Sequence, residues 1–122
     1  MKLNPDCIKD VLEAIEEATT PTSFFTISSD TPQNPPLNEY TYETLLYHIR
    51  QCYLSDLITG LIEYDCGATC LVKDLSPLGH EFLANVRTNT VWNKIKEKGI
   101  SSIPFLLSFA KDFALAYYQS TL

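Results

Sequence analysis

Two cysteines, Cys66 and Cys70, flank a short polar turn, and thiols at this spacing can hold a metal ion or exchange electrons. His48 and Cys52, one helical turn apart, offer two more ligand types. Zinc is held by four such groups, usually in closely spaced pairs. No second pair here has that spacing, so no metal and no cofactor is expected, and the cysteines read as ordinary reduced thiols. A Cys66–Cys70 disulfide formed on oxidation is the next reading. His80 is the other group suited to proton transfer. A general base needs a nucleophile and an orienting carboxylate within reach. Glu81 is adjacent in sequence, so a helix turns it onto another face. His80 is therefore expected to be packed, or to cap backbone through its ring. There is no Gly-rich phosphate loop, no H-E-x-x-H and no nucleophile elbow. The expectation is a protein that is not an enzyme.

Residues Thr44, Tyr47, His48, Arg50 and Gln51 suit recognition better than catalysis. On a helix they form a polar face able to touch base edges, phosphates or a protein partner. Arg50 is its only fixed positive charge, whereas DNA-reading helices usually bring several phosphate contacts. Lys94, Lys96 and Lys98, near Arg87, read as a solvated face partly balanced by Glu97. Trp92, with Val91 and Ile95, reads as a core or interface anchor.

These residues need elements to position them. Asn4 as cap, Pro5 at the first helical position and Asp6 in the first turn predict a helix over 5–18. Its buried stripe is Ile8, Val11, Leu12 and Ile15. Phe24, Phe25 and Ile27 suggest a short edge strand, and prolines make 28–38 a loop. Thr41 caps a second helix over 42–55, with Leu45, Leu46, Ile49, Cys52 and Tyr53 turned to the core. Segments 61–64 and 69–73 pair as a hairpin across the turn 65–68, where Gly67 can take positive φ. Ser76 and Pro77 open a third helix over 77–87. A fourth starts near Thr90 and ends before Gly99, and a fifth runs from about Pro104 to Gln119.

In the last helix Leu106, Phe109, Ala110, Phe113 and Tyr117 make one stripe, with Phe105, Leu107, Leu115 and Tyr118 outside it, and a helix this apolar nearly all round is buried on more than one side. Phe105, Phe109, Phe113 and Tyr117 are the expected self-association surface, giving a homodimer. The competing arrangement folds this helix back into the groove between the first and fourth helices.

The chain has 122 residues, a net charge of −6, and is 45% hydrophobic and 11% aromatic. Such a composition belongs to a folded chain rather than a disordered one. Acidity disfavours non-specific nucleic-acid binding, which draws its affinity from Lys and Arg. The opening MKLNPDCIKD has no apolar signal region, and the run 103–118 carries Lys111 and Asp112 and is too short to span a bilayer. The expectation is a cytoplasmic protein with no membrane contact.

The segments MKLNPDCIKDVLEAIEE, TLLYHIRQCYLSDLI, DLSPLGHEFLANVR and TVWNKIKEK, in that order, resemble an uncharacterised bacterial and prophage family with a domain of unknown function. The resemblance implies a winged-helix-like fold and carries over no catalytic residue. The chain departs from the family pattern in its longer loop 28–38 and in LSDLITG after the second helix. Taken together, the expectation is one α+β winged-helix-like domain over 1–122. Its core spans about 4–87, with a small β-hairpin wing and a C-terminal helical extension over about 90–120. Its expected function is binding through protein–protein contacts, with DNA-binding transcriptional regulation as the alternative.

Overall fold

The structure is a computed structural model that describes residues 1–100 and 102–120. The first helix, α1 (Pro5–Ala18), forms as its capping signals require: the Asn4 side chain accepts from the Asp6 amide at 3.0 Å, and Pro5 sits in the first turn. Ile8, Val11, Leu12 and Ile15 are all fully buried. Each such side chain contributes about 1.5–3 kcal/mol by leaving water. Next comes β1 (Phe25–Ser28), whose alternation buries Phe25 and Ile27 and exposes Thr26. A single 3-10 turn over Leu37–Glu39 seats Leu37 in the core. The second helix, α2 (Tyr42–Leu54), is capped by Thr41, whose hydroxyl accepts from the Thr44 amide.

Four short strands follow: β2 (Ile58–Thr59), β3 (Ile62–Tyr64), β4 (Thr69–Val72) and β5 (Asp74–Leu75). One antiparallel sheet has the order β1–β4–β3, with Ile27 opposite Cys70 and Cys70 opposite Glu63. β2 and β5 form a separate two-stranded ladder. The expected hairpin is therefore present, and β1 is an edge strand as its sequence suggests. The turn between β3 and β4 is tighter than a glycine alone would make it. Asp65, Cys66 and Gly67 all have positive φ, at 53°, 57° and 93°.

Helix α3 (Pro77–Asn85) ends two residues short of the expected boundary. Its start is bolted to the loop after α2: the Ser76 hydroxyl donates to the Asp56 carbonyl, and the Ser76 amide donates to the Leu57 carbonyl at 3.0 Å. Gly79 permits this approach, because a Cβ there would stand 2.2 Å from the Leu57 carbonyl oxygen. Helix α4 (Asn89–Glu97) is capped by Thr88, and α5 (Ile103–Ser120) closes the fold. Trp92 is buried, packs edge-to-face on Phe82 and donates its ring N–H to Asp6 at 3.2 Å.

Two expectations need correction, and the competing placement of the last helix does not hold. Tyr53 does not face the core; in the last turn of α2 it is 45% exposed. His80 is exposed rather than packed; the buried residues of α3 are Gly79, Phe82 and Leu83. Helix α5 does not fill a groove between α1 and α4; its main neighbours are α4 and α3. Ile103, Leu106 and Ala110 of α5 join the same core as α1 and α2. Among the described residues no helix is long and apolar enough to cross a membrane.

Candidate functional site

The outer side of α2 is where polar side chains were expected to gather. Thr44 is partly buried and bonded to Thr41 by hydroxyl contact at 2.8 Å, so its side chain serves the cap. Tyr47 and Gln51 are half-buried and share a wall of a cleft of about 830 Å³. Lys2, Asp6 and Lys96 line other parts of it, as do Ser102 and Ile103 at the start of α5. Lys96 lies 3.4 Å from Asp6, so opposite charges meet within the cleft. A second hollow, lined by Met1, Glu43, Leu46, Tyr47, Arg50 and Gln51, continues the same surface along α2.

His48 does not belong to this surface. It is 1% exposed, and both ring nitrogens are engaged. Nε2 accepts from the Asn4 amide at 2.8 Å. That amide can only donate, so the proton must sit on Nδ1, which donates to the Thr44 carbonyl at 2.7 Å. Burial pulls the imidazole pKa below its ordinary value, although the Thr44 bond opposes this. The helical wheel held the signal. His48 lies three residues after Leu45 and four before Cys52, at the margin of the buried stripe.

Arg50 is exposed but committed. Its Nε donates to Glu63 Oε2 at 3.0 Å and its Nη2 to Oε1, a two-pronged bond from α2 to β3. The pairing holds the Glu63 carboxyl below the usual carboxylate range. Sequence reasoning missed Glu63. The alternation of Ile62, Glu63 and Tyr64 contained the clue, since it places Glu63 on the face of the sheet that also carries Cys70. Of the five residues expected here, the structure therefore gathers Tyr47, Arg50 and Gln51 at the surface. It assigns His48 to the core and Thr44 to the cap.

The residues expected to mediate self-association divide in a similar way. Phe113 and Tyr117 pack partly against the core, and Phe109 is half-buried with its ring stacked on Phe113 at 5.7 Å. Phe105 stands 66% exposed, with Leu115 and Tyr118 also outward. Ala114, absent from the expected stripe, is one of the buried contacts. The reason is that α5 lies across α3 and α4, so the buried side is wider than one stripe.

All four cysteines are free. Cys7, Cys52 and Cys70 are buried, and burial pushes the thiols of Cys7 and Cys70 up to about 12 and Cys52 higher still. Cys66 is exposed at the tip of the hairpin. Lys94 and Lys98 lie on the exposed side of α4, while Arg87 binds both carboxylate oxygens of Glu16. Among the described residues no group of His, Cys, Asp and Glu is placed to hold a metal ion.

A family model described as "Hypothetical protein (DUF2513)" matches residues 2–102, so the chain belongs to that family, a domain of unknown function. No curated protein and no solved structure matches the chain.

Proposed function

We propose that this member of the DUF2513 family is a non-enzymatic binding protein that works through protein–protein contacts made by the outer side of α2. One observation carries the reading: Arg50, the only fixed cation that α2 itself carries, is held by both oxygens of Glu63. A surface that must neutralise phosphates needs free positive charge. Here a cleft with mixed charge, bordered by Tyr47 and Gln51, meets the partner instead. A tyrosine beside an amide is well suited to a protein interface. Exposed Phe105 extends the reading to self-association through α5. The four free cysteines suit a reducing cytoplasm.

The alternative is a winged-helix DNA-binding regulator. The sheet order β1–β4–β3 favours it, with α2 placed just before the hairpin as a recognition helix would be. The test sets both readings side by side. A photo-crosslinking residue at position 47 or 51, introduced in cells, is expected to form discrete protein adducts, while one at exposed Asn93 does not. Random duplex DNA is expected to show no appreciable binding at physiological salt. Absence of adducts at 47 and 51, with tight and salt-sensitive duplex binding, would replace the first reading by the second.

A further inference from the structure

We propose a second docking site, along the free edge of β1, for an extended basic peptide segment of a partner protein. No residue of it belongs to the α2 surface, so it goes beyond the reading above and stands or falls separately.

The edge follows from the ladder. The Ser29 amide donates to the Ala68 carbonyl at 2.8 Å. Bonded pairs alternate in antiparallel sheets. Hence Ile27–Cys70 and Phe25–Val72 are the pairs that exchange bonds between β1 and β4. The amide and carbonyl of Thr26 and the amide of Ser28 then point away from β4. β1 is the last strand of the sheet on that side. Among the described residues, no backbone group takes up those three. Unpaired strand edges are templates for another strand, and proteins normally cover or blunt them.

Here the edge is left beside a groove of about 460 Å³. Its walls are α1 on one side and the loop around Gln33 and Pro36 on the other, with Phe25 and Thr26 between them. Adding a strand is an established way to bind a peptide, with main-chain bonds giving affinity and side-chain pockets giving selectivity. Charge decides which peptide. Asp10, Glu13 and Glu17 line the groove, and no Lys or Arg does. Lys9 holds Glu13 from outside at 2.8 Å, and the Tyr40 hydroxyl donates to Asp10 at 2.7 Å. Glu17 is exposed at the rim. The three carboxylates follow one another along α1 at spacings of three and four residues, so they form one wall. A strand laid on β1 would present alternate side chains to that wall. Lysine or arginine at every second position matches it.

The probe is a mixture of short peptides with Lys fixed at alternate positions and varied uncharged residues between, with a matching Glu-fixed mixture as control. Backbone amide shifts of the full chain are followed by NMR. The Lys mixture is expected to shift the Thr26 and Ser28 amides and protect them from exchange, and the Glu mixture is not. Glu13→Gln with Glu17→Gln is expected to weaken binding roughly three- to tenfold, less at high salt. Thr26→Pro removes the outward N–H but no bond to β4, a change edge strands tolerate, and is expected to abolish binding. Its folded state is checked by the amide spectrum of the core; the double Gln variant tests the same site independently of it. No shift at Thr26 and Ser28 with millimolar Lys peptides, or equal binding of the Glu mixture, overturns the proposal. A concentration-dependent dimer that Thr26→Pro converts to monomer would also overturn it, by putting a second copy of this chain on the edge. None of these outcomes bears on crosslinks from positions 47 and 51.

Discussion

Replacing His48 should expose how much of this fold depends on one buried ring. The side chain is 1% exposed and joins the start of α1 to the middle of α2. In His48→Ala the Asn4 amide loses its acceptor, at a cost of about 1–3 kcal/mol for a buried unsatisfied donor. The lost ring also leaves a void next to Leu45 and Cys52. The sum is roughly 3–4 kcal/mol, a large share of a small domain's stability. His48→Phe keeps most of the volume but loses both ring hydrogen bonds, of which the unpaired Asn4 amide is the costlier, so it should cost about 1–3 kcal/mol. The same geometry fixes the pH response. Burial depresses the pKa in the folded protein, so below the unfolded value the unfolded chain binds more protons. The His48 contribution is therefore fully present above about pH 6.5 and is lost as pH falls toward the depressed folded value. Protonation also turns Nε2 into a donor facing a donor. Urea unfolding from about pH 7.5 to about pH 5 should show wild type losing stability relative to His48→Phe, with a limiting slope of about 1.4 kcal/mol per pH unit. The difference between the two proteins cancels the titration of the carboxylates. A loss below about 1 kcal/mol in His48→Ala, or parallel pH curves for wild type and His48→Phe, would refute the clamped neutral ring.

Other outcomes follow from the same contacts. Gly79→Ala places a methyl group 2.2 Å from a backbone oxygen, so urea unfolding should show a loss of about 3 kcal/mol, the upper end for overpacking. Glu63→Gln removes a half-exposed ion pair and should cost under about 1 kcal/mol; by freeing Arg50 it should strengthen duplex DNA binding in an anisotropy titration only if α2 faces DNA. A thiol reagent should label Cys66 quickly in the native protein, whereas Cys7, Cys52 and Cys70, buried with raised pKa values, should react only after unfolding. Phe105→Ser should lower the mass seen by light scattering at micromolar concentration while leaving the unfolding midpoint of the dilute monomer unchanged, since Phe105 is 66% exposed and contributes little to the core.

Local signals in the chain were enough to read most of the elements. Caps and prolines act within a turn of themselves, so Asn4–Pro5, Thr41 and Ser76–Pro77 located three helix starts to the residue. The apolar residues around Phe25 and Ile27 and the pattern over 61–73, with Gly67 at the turn, were enough for an edge strand and a hairpin, although Ser28, read as loop, belongs to the strand. The buried stripe of α1 was legible because all its apolar residues fall on one side. The candidate site was legible only in part. Helical spacing gave the direction in which His48 and Arg50 leave α2, but not what stands there. His48 became core because the chain before α1 brings the Asn4 amide to its ring, a contact between residues 44 positions apart. Arg50 lost its freedom because β3 carries Glu63 beneath it. Likewise helical spacing put Leu106 and Ala110 on the stripe of α5 and Phe105 off it, but only the seat of α5 across α3 and α4 decided that Ala114 is buried while Phe109 and Phe113 are half-buried. The division has one physical cause. Backbone hydrogen bonding and side-chain periodicity are set by neighbours along the chain, whereas burial and charge pairing depend on distant segments that meet only when the chain has folded.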